Sequence, residues 1–221
     1  IGVLGNQDVA PDLVPLLSNA QIDAGVRSEV ARTIGVLGNQ DVAGDLVALL
    51  SNAQIDAWRR QEVATAIGVL GNRHVAGDLV ALLSNEEIPV GVRREVAKAI
   101  GVLGNQDVAA DLVPLLSNAQ IDRQVQFEII DVLKQLNNKT AMPPLKALLS
   151  QREVNPEIRC EVAKLVEIWS EEVANRTSPD RVRDLERLRQ VPTRLRPQDF
   201  EDPPKKPGLV RKVLSYGEDA L

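Results

Sequence analysis

The sequence predicts an all-α protein: a right-handed α-solenoid of about five 33-residue, two-helix repeats, with a C-terminal capping helix and a Pro-rich tail. Three observations predict it. The string IGVLGN begins at Ile1, Ile34, Ile67 and Ile100, 33 residues apart each time. The string LSN begins at Leu17, Leu50, Leu83 and Leu116 with the same spacing, and Asn138 marks a fifth, degenerate unit in register with Asn6, Asn39, Asn72 and Asn105. Apolar residues make up 44% of the chain but aromatics only 2%, so the core is built from Leu, Val, Ile and Ala, which suit close packing of helix on helix.

Within each unit the elements follow in order. Asn6 is a good cap for a first helix, because its side-chain oxygen accepts from the free amides of the first turn. Leu13, Val14, Leu16 and Leu17 then form its apolar stripe. Pro15 and Pro114 lie inside this helix and are expected to kink it. Asn19 and Gln21 mark the turn. Asp23 caps a second helix, as do Asp56, Asp122 and Asn155, and Pro156 sits at the favoured first helical position. Val26, Val30, Ala31, Ile34 and Leu37 are its expected buried face. Gly38 closes it, with Gly5, Gly71 and Gly104 at equivalent places where the chain turns through positive φ. One helix pair of this size cannot bury both stripes alone, whereas stacked neighbours can. Because Ile1 already stands in the middle of the repeat, the chain is expected to be part of a longer polypeptide.

Segments such as VRREVAKAIGVLGN, Val92 to Asn105, resemble the short HEAT repeats of the phycobilisome-lyase type: a Val-Arg start, an Ala-rich second helix and a Leu-Gly-Asn turn. The resemblance covers residues 1–172. It implies a fold in which the second helices line a concave surface. Its functional content is small, since such repeats occur in scaffolds, lyases, DNA-repair proteins and sensors.

The differences between units carry more. Aligned by 33, the leucines of the first helix hardly change: Leu13, Leu46, Leu79 and Leu112 match, as do Leu16, Leu49, Leu82 and Leu115. Variation gathers in the first turns of the second helix. One column reads Gly25, Trp58, Gly91, Gln124, Glu157; the next Ser28, Gln61, Arg94, Phe127, Cys160; a third Arg32, Thr65, Lys98, Asp131, Lys164. At 100° per residue these columns share one side of the helix, opposite Val30, Ala31 and Ile34. A constant frame presenting variable side chains is what recognition requires, while neutral drift on a solvated face is the plain alternative. Trp58 and Phe127, flanked by Arg59 and Arg94, suit interface anchors. The candidate partner-binding residues are therefore Arg32, Trp58, Arg59, Gln61, Arg94, Lys98, Gln124, Phe127 and Asp131. Two columns stay nearly constant. Arg27, Arg60, Arg93 and Arg159 (broken by Gln126) are expected to bridge carboxylates or helix-end carbonyls of adjacent units, and Glu29, Glu62, Glu95, Glu128 and Glu161 form the other.

A search for catalytic chemistry yields little. His74 is the one histidine and takes a place filled elsewhere by Asp8, Asp41 and Asp107, so it lacks co-ligands for a metal and partners for base catalysis. Cys160, the one cysteine, has no histidine in its unit to activate it, and it excludes an internal disulfide. The glycines of IGVLGN do not match a phosphate-binding loop. Asp12, Asp45, Asp78 and Asp111 stand a repeat apart, too far for a carboxylate pair. No cofactor, metal, catalytic residue or small-molecule substrate is expected.

Beyond residue 172 the composition shifts. Residues 173–191 are expected to hold a capping helix, with Ser178 and Pro179 at its start, Val182, Leu185 and Leu188 facing the last repeat, and an arginine-rich outer side. Residues 192–208 carry Pro192, Pro197, Pro203, Pro204 and Pro207 and suggest a linker; in the tail to residue 221, Leu209, Val210, Val213 and Leu214 make a short amphipathic patch.

Three functional readings follow. The first is a protein-binding scaffold or sensor, such as the recognition arm of a larger multidomain protein; bacterial signal-transducing NTPases of the STAND type carry such arms. The second is a bilin-lyase-like enzyme component, implied by the repeat type alone. The third is nucleic-acid binding through Arg32, Arg59, Arg94, Lys98 and the C-terminal arginines, against which stands a net charge of -5. No stretch of eighteen apolar residues and no signal-peptide pattern is found, so no membrane partner is expected and a cytoplasmic setting is.

Overall fold

The structure is a computed structural model that describes residues 6–19 and 21–177. The chain divides into two compact units, Ile1–Glu172 and Val173–Leu221. The expected capping helix and tail fall, beyond Thr177, outside the described residues. Among the described residues every regular element is helical, with ten α-helices and six short 3-10 segments.

The α-helices are α1 (Ala10–Ser18), α2 (Ala24–Leu37), α3 (Ala43–Ser51), α4 (Ala57–Leu70), α5 (Ala76–Leu83), α6 (Val90–Leu103), α7 (Ala109–Leu112), α8 (Arg123–Leu136), α9 (Met142–Leu149) and α10 (Pro156–Thr177). Odd-numbered helices are the first of each pair. Each pair opens with a 3-10 turn, such as Gln7–Val9 or Gln40–Val42, whose cap is the recurrent asparagine. Pro15 leaves α1 as one α-helix, whereas Pro114 ends the α-helical part of α7 at Leu112, and Val113–Leu116 continue as a 3-10 turn. Both rings lack the N–H that would bond the carbonyl four residues back, yet only Pro114 coincides with the change to tighter winding.

The turn between paired helices is held by a repeated device. The Asn19, Asn52, Asn85 and Asn118 carboxamides accept from the backbone amides of Gln21, Gln54, Glu87 and Gln120 at 2.9–3.0 Å. Ile55, Ile88, Ile121 and Val154 then turn inward and are buried. Asp23, Asp56, Asp122 and Asn155 cap the second helices through the amides of Gly25, Arg59, Gln124 and Glu157. Pro89 stands at the same place before α6 and gives no side-chain cap. Gly38, Gly71 and Gly104 end α2, α4 and α6 at φ 71°, 75° and 63°, the left-handed region that a Cβ disfavours.

Packing follows two rules. The first helices α1, α3, α5 and α7 lie on their own second helices α2, α4, α6 and α8, and successive second helices lie on one another, α2 on α4, α4 on α6 and α6 on α8. In the first helices Leu46, Leu50, Leu79, Leu83, Leu112 and Leu116 are fully buried, but Leu49, Leu82 and Leu115 are only half-buried. The stripe is therefore narrower than the sequence suggested. In the second helices Ala31, Ile34 and Leu37 are buried as expected. Val26 is not, being 54% exposed, although its equivalents Val92, Val125 and Ile158 are covered. The reason is position: among the described residues no second helix precedes α2 to cover that side. Trp169 fills the place of Leu37, Leu70, Leu103 and Leu136 in the fifth unit and is buried, with the Lys139 ammonium 4.5 Å from its ring centre.

Among the contacts that join one unit to the next, two recur along the chain. The caps Asn39, Asn72, Asn105 and Asn138 each accept from an amide two residues ahead and donate Nδ2 to a carbonyl 32 residues back, on Gln7, Gln40, Arg73 and Gln106 at 2.7–3.1 Å. The other contact is a close approach between second helices at the first glycine of IGVLGN. A Cβ on Gly35 would stand 2.8 Å from Val69 Cβ, while one on Gly68 would meet its nearest neighbours at 3.5 Å.

Gly35→Ala is therefore expected to lower stability by about 1–3 kcal/mol through overpacking. Gly68→Ala has room and is expected to be neutral or to add up to about 1 kcal/mol of helix propensity. Urea midpoints are expected to fall for Gly35→Ala and to hold or rise for Gly68→Ala. By the same measurement Asn105→Ala, which loses a cap and a cross-unit bond, is expected to cost about 2 kcal/mol.

Candidate functional site: the second-helix face

The three variable columns lie on the exposed side of α2, α4, α6 and α8. Arg94, Gln124, Phe127 and Asp131, from two successive helices and all three columns, line one groove of about 330 Å³ together with Glu128. Phe127 is half-buried against the core with one side facing this groove, which differs from the free exposure its column implied. Gln61 lies over Gly91, where an added Cβ would come within 2.5 Å of its Nε2. A large side chain at 61 thus answers an absent one at 91.

Trp58 is 40% exposed on α4, and the Arg27 guanidinium of α2 lies 5.8 Å from its ring centre. It anchors the face while covering a buried charge. Arg59 departs from the expected face. Its column holds the buried Val92, Val125 and Ile158, and its half-buried side chain reaches back to the cap Asp56 at 3.2 Å. Helical geometry puts position 59 about 100° away from 58, so flanking in sequence did not mean sharing a surface.

The cations of the face are paired within the chain. Arg32 bonds Glu29 at 2.6 Å, Lys98 bonds Glu95 at 2.6 Å, and Arg94 stands 3.7 Å from Glu128 on the next second helix. Lys164 and Glu161 repeat the pattern, the hydrogen bond from Lys164 holding the Glu161 carboxyl below its ordinary range. Asp131 pairs with Lys134 at 2.8 Å. Glu29, Glu95, Glu128 and Glu161 are thus counter-charges of the variable face.

The arginine column behaves differently from the expectation of bridges between units. Arg27, Arg60 and Arg93 are buried, and their Nη1 atoms donate to carbonyls at the end of the first helix of their own unit: Asn19 and Ile22, Leu50, and Leu83. The negative end of that helix compensates each charge in place of a carboxylate. Gln126 does the same work, donating Nε2 to Leu116 at 3.2 Å and Asn118 at 3.1 Å. A second groove, between α2 and α4, was not singled out in the sequence; Ser28, Ala31, Arg32, Glu62, Thr65, Ala66 and Val69 line its 220 Å³. His74 and Cys160 are both exposed, and no cluster of potential metal ligands occurs among the described residues. No described helix is long and apolar enough to cross a membrane.

No protein-family model matches the chain, and no curated protein matches it at a significant level.

The Nε atoms of Arg27, Arg60 and Arg93 are buried with no hydrogen-bond partner among the described residues. A guanidinium at this column therefore gives little beyond what an amide supplies. Arg93→Gln is expected to stay within about 1 kcal/mol of the parent, and Arg93→Ala to lose about 2 kcal/mol by leaving the Leu83 carbonyl unbonded. Thermal melts of the two variants separate these outcomes.

Proposed function

We propose that this chain is a HEAT-like, right-handed α-solenoid of about five repeats that binds another protein on its second-helix face, as a scaffold or sensor in the bacterial cytoplasm. The 33-residue spacing, the cross-unit asparagine bonds and the stacking of second helices support the solenoid. The observation that carries the binding role is the groove in which Arg94, Gln124, Phe127 and Asp131 meet. These residues differ from unit to unit, while the leucines that hold them in place do not. The role is one of recognition, without catalysis. Protein is favoured over nucleic acid as partner because Arg32, Arg59, Arg94 and Lys98 each already face a carboxylate of this chain. Neutralising phosphates would require those pairs to open.

Affinity capture with the intact chain tests the reading when three forms are compared: the parent, Trp58→Ala with Phe127→Ala, and Asp45→Ala on the exposed side of α3. The aromatic double variant is expected to weaken the captured complex by about 2 kcal/mol or more, roughly 30-fold in Kd, measured at a temperature where circular dichroism shows it still folded, since Phe127 packs against the core. Asp45→Ala is expected to bind as the parent does. Equal retention by all three forms would overturn the assignment of the face.

A further inference from the structure

The groove between α2 and α4 carries a more specific conclusion, which rests on the protein-binding reading and names the chemistry of the partner. In the glutamate column, Glu29, Glu95, Glu128 and Glu161 each face a cation of this chain. Glu62 is the exception. Three residues on, where Arg32, Lys98 and Lys164 stand in their units, the second unit has Thr65, and its hydroxyl donates to the Gln61 carbonyl at 3.1 Å. Among the described residues nothing bonds the Glu62 carboxylate. Arg32 lines the same groove but is held on Glu29 by Nε at 3.1 Å and Nη2 at 2.6 Å.

Around this half-buried carboxylate most of the groove's surface is apolar, although Ser28, Arg32 and Thr65 also line it. Ala31 and Ala66 form its buried floor, and Val69 stands half exposed at its edge. Trp58 precedes Glu62 by one turn of α4. A cavity of 220 Å³ lined by Ala31, Ala66 and Val69, with Ser28 and Thr65, Arg32 turned onto Glu29 and one unpaired carboxylate, matches a long aliphatic stem that ends in a positive charge. We propose that this groove receives a lysine or arginine side chain of the partner protein, its head on Glu62 and its stem along Ala31, Ala66 and Val69, with an aliphatic neighbour packed against Trp58. A single carboxylate does not make a metal site, so the cation is an organic one.

A phage-displayed library of random octapeptides, selected on the intact 221-residue chain, tests this. Peptides with Lys or Arg next to an aliphatic residue are expected to be enriched. A selected peptide is expected to bind the parent about tenfold tighter than Glu62→Gln or Thr65→Lys, and more weakly as salt rises. Thr65→Lys supplies an internal cation at the place of Lys98, so it occupies Glu62 without removing it. No enrichment, enrichment lacking a basic residue, or equal affinity for the three proteins would overturn the proposal. So would displacement of the peptide by putrescine at the peptide's own affinity, which would make the ligand a free polyamine. If the Trp58 and Phe127 substitutions abolish capture while Glu62→Gln does not, this inference fails and the broader binding role stands. If neither abolishes it, both fail.

Discussion

One asparagine side chain, facing two ways, fixes how each unit sits on its predecessor. Its oxygen caps the 3-10 turn that starts the unit, and its nitrogen reaches a backbone carbonyl 32 residues earlier. Each bond is worth only about 1 kcal/mol net, but both are made by one short, rigid side chain. The rotation of a unit about its neighbour is thereby coupled to the start of its own first helix. Val42, Val75 and Val108 follow immediately and are buried, so the polar bridge also aims the apolar stripe.

The second constraint is the closeness of the second helices. Glycine at positions 35, 68 and 101 lets the following helix bring a valine or glutamine side chain against the backbone. Val36, Val69 and Val102 nonetheless stay more than half exposed in a string that looks like core. The closeness of the helices also determines the face above. Helices this near place residues three and four apart on one helix beside those of the next, which is how Arg94 comes to line a groove with Gln124, Phe127 and Asp131.

Electrostatics then grades that face. Pairs at i,i+3 neutralise most of its charge and are worth little in solvent-exposed positions. They leave few unpaired charges on that face. The second unit breaks the pattern with threonine in place of a cation. A buried column shows the complementary case: Arg27, Arg60 and Arg93 need no carboxylate because carbonyls at the end of the first helix accept their hydrogen bonds.

Much of this was legible from sequence. The period, the caps at Asp23, Asp56, Asp122 and Asn155, the positive-φ glycines and the leucine stripe are local effects of residue type and spacing, and each depends on only a few neighbouring residues. The asparagine column was visible as a start signal, but its donor half was not, since a carbonyl 32 residues away is not a local neighbour. Flanking in sequence does not put Arg59 beside Trp58 on one surface, because successive residues of a helix stand about 100° apart. Val26 was misplaced because burial at its column depends on a preceding helix. The α2–α4 groove was invisible for a related reason: it is the space left between two helices, and its free carboxylate shows only when Glu62 is compared with what stands opposite. The sequence by itself determined which residues start, stop and line each helix, because those are short-range choices. Tertiary structure alone decided which side chains meet across helices and which charge is left unanswered, because distance between helices is set by packing, not by position in the chain.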